Sequence, residues 1–165
     1  MKPASMWFMD DRPELAAEIG WITIRWAALD LLLVQILGEV LRNRVAAQQI
    51  IFAEQNAGQQ RFRAFERVIG TSSLDAATRK AIIDRMKQIG VLYRKRNEIV
   101  HEPFSSRLQV IDGKLHGRII ALDREGKSKD INIDDFKRHA TQVDEHLTFL
   151  EETALAISLL HEDID

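Results

Sequence analysis

The chain has 165 residues, which suits one domain and leaves little room for two. Hydrophobic residues at 45% exclude disorder, and a formal net charge of −2 excludes a basic field that draws nucleic acid to the whole surface. Cys is absent, which removes disulfides, thiolate nucleophiles and Cys-based zinc sites together.

Gly (8) and Pro (3) are scarce against a usual combined share of about 12%, and scarcity of both favours long uninterrupted helices. The amino-terminal MKPASMWFMDDRP has no long apolar stretch behind its Lys and turns acidic at once, so it does not read as a secretory signal. The expectation is a cytoplasmic protein. Residues 15–41 include the apolar run LLLVQIL, but Glu18, Arg25, Asp30 and Glu39 interrupt the segment. Each would cost a few kcal/mol near a bilayer centre, so a buried helix of a bundle is the better reading and no membrane is expected.

The first helix has a cap in Asp11, a first-turn residue in Pro13 and an acid at its positive end in Glu14. No strong breaker follows until about Asn43, so some ~30 residues would span ~45 Å. Leu15, Ile19, Ile22, Trp26, Leu29, Leu33, Ile36, Leu37 and Val40 recur at helical spacing. Ile24, Leu31, Leu32 and Val34 lie off that stripe. A helix apolar on more than one face is central in its bundle or packs against a second chain, and a homodimer is expected.

NRVAAQQIIFAEQNAG either continues as helix or breaks near Asn56-Ala57-Gly58. A helix over about Gln59 to Ile69 turns Phe62, Phe65, Val68 and Ile69 inward, and Gly70 closes it. Ser73 or Asp75 caps the next helix, about Ala76 to His101, whose stripe is Ile82, Met86, Ile89 and Tyr93. Pro103 ends it. RLQVI and KLHGRIIAL then read as strands joined by an Asp112-Gly113 turn, and SKDINI as a third strand after a turn at DREGK. The last helix starts at Asp134 or Asp135 and runs to about His161, with Phe136, Ala140, Val143, Leu147, Leu150, Ala154, Ile157 and Leu160 on its apolar face. The predicted fold class is an all-α antiparallel bundle, one domain over 1–165, with a small antiparallel β insertion at about 107–133 before the last helix.

The unusual stretch is YRKRNEIVHEP. The apolar stripe of its helix extends by its own spacing to Arg96, Asn97 and Val100, so a guanidinium and a carboxamide fall where burial is expected. Asn97 and His101 are i and i+4 neighbours, and His101 sits at the helix C-terminus, where the dipole suits a cation. The side chains of Arg96, Asn97 and His101 can therefore converge near one helix end. A plainer reading stands beside this one: basic residues at a helix C-terminus are common because they bond the last carbonyls.

RNEIVHEPF resembles the signature of the HEPN superfamily, the small all-helical domains of prokaryotic toxins and defence systems. That signature is an Arg, four to six residues, then His, with a polar residue, often Asn, after the Arg. Arg96, Asn97 and His101 match it, late in a helical bundle, while Glu102-Pro103 stand where many relatives have Gly. IGWITIRWAALDLLLVQIL also looks like the long first helix of small HEPN-like proteins, many of which carry an acid at the place of Asp30. The resemblance implies metal-independent RNA cleavage in a composite dimer cleft, with no cofactor, as a toxin or antiviral-defence effector. Arg96, Asn97 and His101 would be catalytic, leaving a 2′,3′-cyclic phosphate and a 5′-hydroxyl. Arg94 and Lys95 would add positive charge for the RNA backbone. An antitoxin or a nucleotidyltransferase is the implied partner besides RNA. The alternative within the same resemblance is a non-catalytic HEPN-like dimerising interaction or RNA-binding module, in which the three residues fix the bundle end.

His139 and His146, seven apart on the last helix with Asp135 and Glu145 nearby, are expected to be surface histidines rather than metal ligands. His116 and His161 have no evident partner. Asp30 either faces Arg96 or Asn97 or forms the polar edge of its helix. Trp7, Trp21 and Trp26 are core or interface aromatics before they are base-stacking ones.

Overall fold

The computed structural model describes residues 13–53, 58–101, 104–112, 114–122 and 127–162, and over 104–111, 114–119, 130 and 161–162 the backbone path alone. The elements are α1 (Pro13–Leu41), α2 (Arg44–Phe52), α3 (Gln60–Thr71), α4 (Ala76–His101), β1 (Phe104–Ile111), β2 (Lys114–Leu122), β3 (Ser128–Asp130) and α5 (Ile133–Glu162). The chain is an all-α bundle with a small antiparallel sheet before its last helix.

Local chemistry sets most boundaries. Arg42 takes a left-handed φ of 49°, and the Asn43 N–H returns to the Gly38 carbonyl at 3.0 Å, which closes α1. The Asn43 side chain then accepts the Ala46 N–H at 3.0 Å and opens α2, so α1 stops at the expected breaker and helix resumes as far as Phe52, ahead of Asn56-Ala57-Gly58. The first two of those residues lie outside the described ones, as do Asp11, Trp7, Pro103, Gly113 and the DREGK residues 123–126. Gly70 does not close α3. The helix runs to Thr71, and the N–H and hydroxyl of Ser72 both return to the Ile69 carbonyl. Asp75, rather than Ser73, caps α4 by accepting the Ala77 and Thr78 N–H groups at 2.9 and 3.0 Å. Arg79 ties the α3–α4 turn by donating to the Ser72 and Leu74 carbonyls. Asn132 caps α5 through the Asp134 N–H at 3.0 Å.

The sheet has the order β1-β2-β3, both pairs antiparallel. Its first pairing runs from Phe104 opposite Ala121 to Ile111 opposite Lys114. Asp112 has a φ of 51°, as a tight hairpin requires at that position. The insertion thus occupies 104–130, beginning a little earlier than the alternation alone suggests.

The helices form the core. Trp26 of α1 meets Tyr93 of α4, and Asp30 further along α1 senses the charge of Arg96, so α1 and α4 run the same way. Arg85 meets His146 while Lys95 acts on His139, so α4 and α5 run in opposite directions. α1 packs most extensively on α5, where Arg25 pairs with Asp144 at 2.6 Å. The predicted α1 stripe is largely buried, with Ile19 and Val40 partly so. Its off-stripe residues divide: Val34 is buried and Leu32 packs on the core, whereas Ile24 and Leu31 are exposed. On α5, Leu160 is exposed rather than inward. No described helix is long and apolar enough to cross a membrane.

Candidate functional site

The C-terminal third of α4 crosses from core to surface. Tyr93 still packs inward, edge-on to Trp26 at 5.5 Å and to Phe62 at 5.3 Å between ring centres. Arg96 and Asn97 follow one turn later, half-buried, and Arg96 Nη1 donates to Asn97 Oδ1 at 3.0 Å. Arg96 Nε is buried and has no hydrogen-bond partner among the described residues. A buried N–H without an acceptor costs about 1–3 kcal/mol, so this guanidinium keeps an unused donor.

His101 ends the helix and is exposed. It makes no hydrogen bond or ion pair among the described residues. The structure therefore joins two of the three motif residues and leaves the third apart, one turn away at the mouth of the same helix end. Arg94 is exposed on the outer face. Lys95 points elsewhere: it is half-buried and lines a cavity of about 170 Å³ between α4, the sheet and α5.

Asp30 does face this region, through a residue that sequence reasoning did not single out. Arg61 of α3 pairs with Asp30 at 2.5 Å, donates from Nε to the Gly58 carbonyl at 3.1 Å and lies over the Tyr93 ring at 5.7 Å. Gly58 is itself fixed in the left-handed region at φ 62°, close against the Tyr93 hydroxyl. Burial pushes the Asp30 carboxyl above the usual aspartate range, while the charge and hydrogen bond of Arg61, and the charge of Arg96, pull it back. One acid thus sits between two guanidinium groups. No local pattern marks Arg61, because its partner is 31 residues away in the chain.

The two histidines of α5 correct the expectation of a surface pair. His139 is 0% exposed and His146 is 6% exposed. Trp26 Nε1 donates to His139 Nε2 at 3.4 Å and the two rings stack, so the proton of a neutral His139 sits on Nδ1, which has no partner. Burial, aided by the charge of Lys95, pushes His139 down to about 4. His146 is also lowered, chiefly by burial; Arg85, which donates to its Nδ1 at 3.3 Å, lowers it further, against an opposing pull from Glu145. Both are core imidazoles because a seven-residue spacing on a helix keeps them on its inward face. No group of three or more His, Asp or Glu able to hold a metal ion occurs among the described residues.

Comparisons with family models, with curated proteins and with solved structures return no match for this chain.

Proposed function

We propose that the chain is a metal-independent endoribonuclease of HEPN type, a toxin or antiviral-defence effector acting as a homodimer. The observation that carries this reading is the division within one stretch of α4. Arg96 and Asn97 are held together half-buried, while His101, one turn on, is exposed and bonded to nothing described. A purely stabilising network accounts for the first two and leaves His101 only its favourable place at the helix C-terminus.

RNA brings its own nucleophile, the 2′-hydroxyl. An imidazole exchanges protons near neutral pH, so His101 takes the 2′ proton as that oxygen bonds to phosphorus. The bond from phosphorus to the 5′ oxygen breaks, and the imidazolium of the partner's His101 protonates the departing oxygen. The products are a 2′,3′-cyclic phosphate and a 5′-hydroxyl. The half-buried Arg96 guanidinium donates to the phosphate oxygens on which charge grows. Asn97 holds Arg96 in place.

A second copy has a surface to meet. Trp21, Ile24 and Leu31 are 54%, 57% and 62% exposed along the solvent face of α1. Large contiguous apolar patches of this kind mark interaction sites. Light scattering should give twice 18.9 kDa at micromolar concentration, and a monomer would remove the composite cleft. Single cysteines at residues 24 and 98 should both crosslink. Crosslinking at 24 alone would keep the dimer and separate the two α4 ends.

The bond between Arg96 and Asn97, with the Asp30–Arg61 pair beside it, favours a second reading: a non-catalytic HEPN-like interaction or RNA-binding module whose bundle end these groups fix. Cleavage and thermal melts on the same variants separate the two. Under the ribonuclease reading His101→Ala and Arg96→Ala lose cleavage in a folded protein, activity survives EDTA, and Arg96→Lys fails because an ammonium lacks the planar two-pronged contact. Under the module reading Arg96→Ala lowers the melting temperature and wild type cuts nothing. Unchanged cleavage in a folded His101→Ala protein would sink the catalytic assignment.

A further inference from the structure

We infer that the cavity between α4, the sheet and α5 is the seat of one base, guanine, of the RNA held at the α4 end, an inference that rests on the ribonuclease reading. Three parts of the chain enclose it. Ile99 of α4, Ala121 of β2 and Phe136 of α5, all nearly buried, supply apolar walls, and Ile131 continues them. Lys95, Glu98, Lys129, Asn132 and Asp135 supply the polar lining.

Size selects the ligand class. The volume of about 170 Å³ falls well under the roughly 300–1,000 Å³ of pockets that enclose drug-sized ligands. It admits one flat ring system and leaves sugar and phosphate outside. Apolar walls suit the faces of a base, and polar groups at the rim suit its edge.

Charge selects the base. Asp135 pairs with Arg138 at 3.1 Å on the exposed side of α5, and the Asn132 side-chain oxygen accepts the Asp134 N–H at 3.0 Å. The side chains of Lys95, Glu98 and Lys129 make no ion pair or hydrogen bond among the described residues. Among the described residues the cavity thus offers the Glu98 carboxylate, with Asp135 beside it, and the Lys95 and Lys129 ammonium groups. Guanine alone presents two adjacent donors, N1–H and the N2 amino group, beside an acceptor, O6. A carboxylate takes the donors and an ammonium meets the acceptor. Adenine and cytosine place a ring acceptor next to their amino group, which repels a carboxylate. Uracil places acceptors on both sides of its single N–H.

Position ties the cavity to the chemistry. Glu98 lies one helical turn before His101 and one turn after Lys95, so a base bound there neighbours a phosphate at His101.

The test titrates the full chain with guanosine, adenosine, cytidine and uridine 5′-monophosphates, followed by calorimetry and by protein NMR shifts. Guanosine monophosphate should bind about tenfold or more tightly than the others, and Glu98→Gln should erase that preference without moving the melting temperature. Ala121→Leu, which fills the floor, should weaken binding of every base; should it fail to fold, Glu98→Gln decides alone. Cuts in a mixed RNA should fall beside guanosine. Equal binding of all four, no saturable binding at millimolar concentration, or guanosine binding untouched by Glu98→Gln would overturn the inference. Guanosine binding by a protein that cuts no RNA would keep the base site and remove the ribonuclease reading. Cleavage blind to neighbouring bases, with no monophosphate bound, would do the reverse.

Discussion

His139 and His101 carry the same side chain in opposite surroundings. His139 lies inside the bundle at 0% exposure, stacked on Trp26 with ring centres 6.2 Å apart, and burial pushes it down to about 4. His101 stands exposed at the open end of α4. The first imidazole is a packing piece whose neutral form burial favours, and its Nδ1 has no acceptor among the described residues. The second is exposed and makes no side-chain hydrogen bond or ion pair among the described residues. The motif singles out His101, and the sequence expects His139 at the surface; what the structure adds is the Trp26 ring stacked on one and the solvent exposure of the other.

The contrast breaks most sharply at His101. Under the ribonuclease reading, His101→Ala should reduce RNA cleavage by about 10²–10⁴-fold while denaturant unfolding moves by no more than about 0.5 kcal/mol. A folded variant with full activity, or an unfolded one, would erase the distinction between the two histidines.

Acid should act on the other partner of the comparison. His139 is depressed in the folded chain, so the unfolded chain takes up its proton first as pH falls. Stability should be complete above about 6.5 and decline as pH drops toward about 4, by roughly 3 kcal/mol in all. His146, lowered in the same sense, adds to the decline. Urea midpoints measured from pH 8 to 4 check this, and His139→Gln should flatten the curve. An equal slope in that variant would assign the acid response elsewhere.

A smaller loss is expected at the charged seam between core and helix end. Asp30→Ala leaves Arg61, mostly buried beside it, without its carboxylate, which should cost about 2 kcal/mol in this partly exposed site. Thermal melts in low and high salt read it. The smallest effect belongs to Arg94 on the open face: Arg94→Ala should leave stability within about 0.5 kcal/mol and reduce the salt dependence of RNA binding by about one counterion.

Much of this fold is legible in the chain. α1 and α4 begin and end close to the residues that capping and breaker chemistry name, and the Asp112-Gly113 turn places the hairpin. These are local rules, satisfied within a few residues of the groups they concern. The break at Asn43 was legible as a breaker and cap, whereas the left-handed Arg42 before it is not a residue type that announces such a turn. Gly70 misled for a related reason: a glycine suits a helix end but does not force one, and the hydroxyl of Ser72 supplied the stop two residues later.

The site divides along the same line. Arg96 and Asn97 sit on the extension of the α4 stripe, and spacing by itself foretold their partial burial. Helical periodicity also carried the core positions of α1, from Leu15 to Leu37, because each helix must hide the same face over its whole length. His139 and His146 already lie on the apolar stripe of α5, whereas tertiary structure alone decided that Arg61 partners Asp30 and that Lys95 turns toward the sheet while Arg94 faces solvent. Those outcomes depend on which helix lies beside which, and on residues tens of positions apart meeting in space. A pattern read along one chain contains periods and caps, but not the neighbour that a side chain finds.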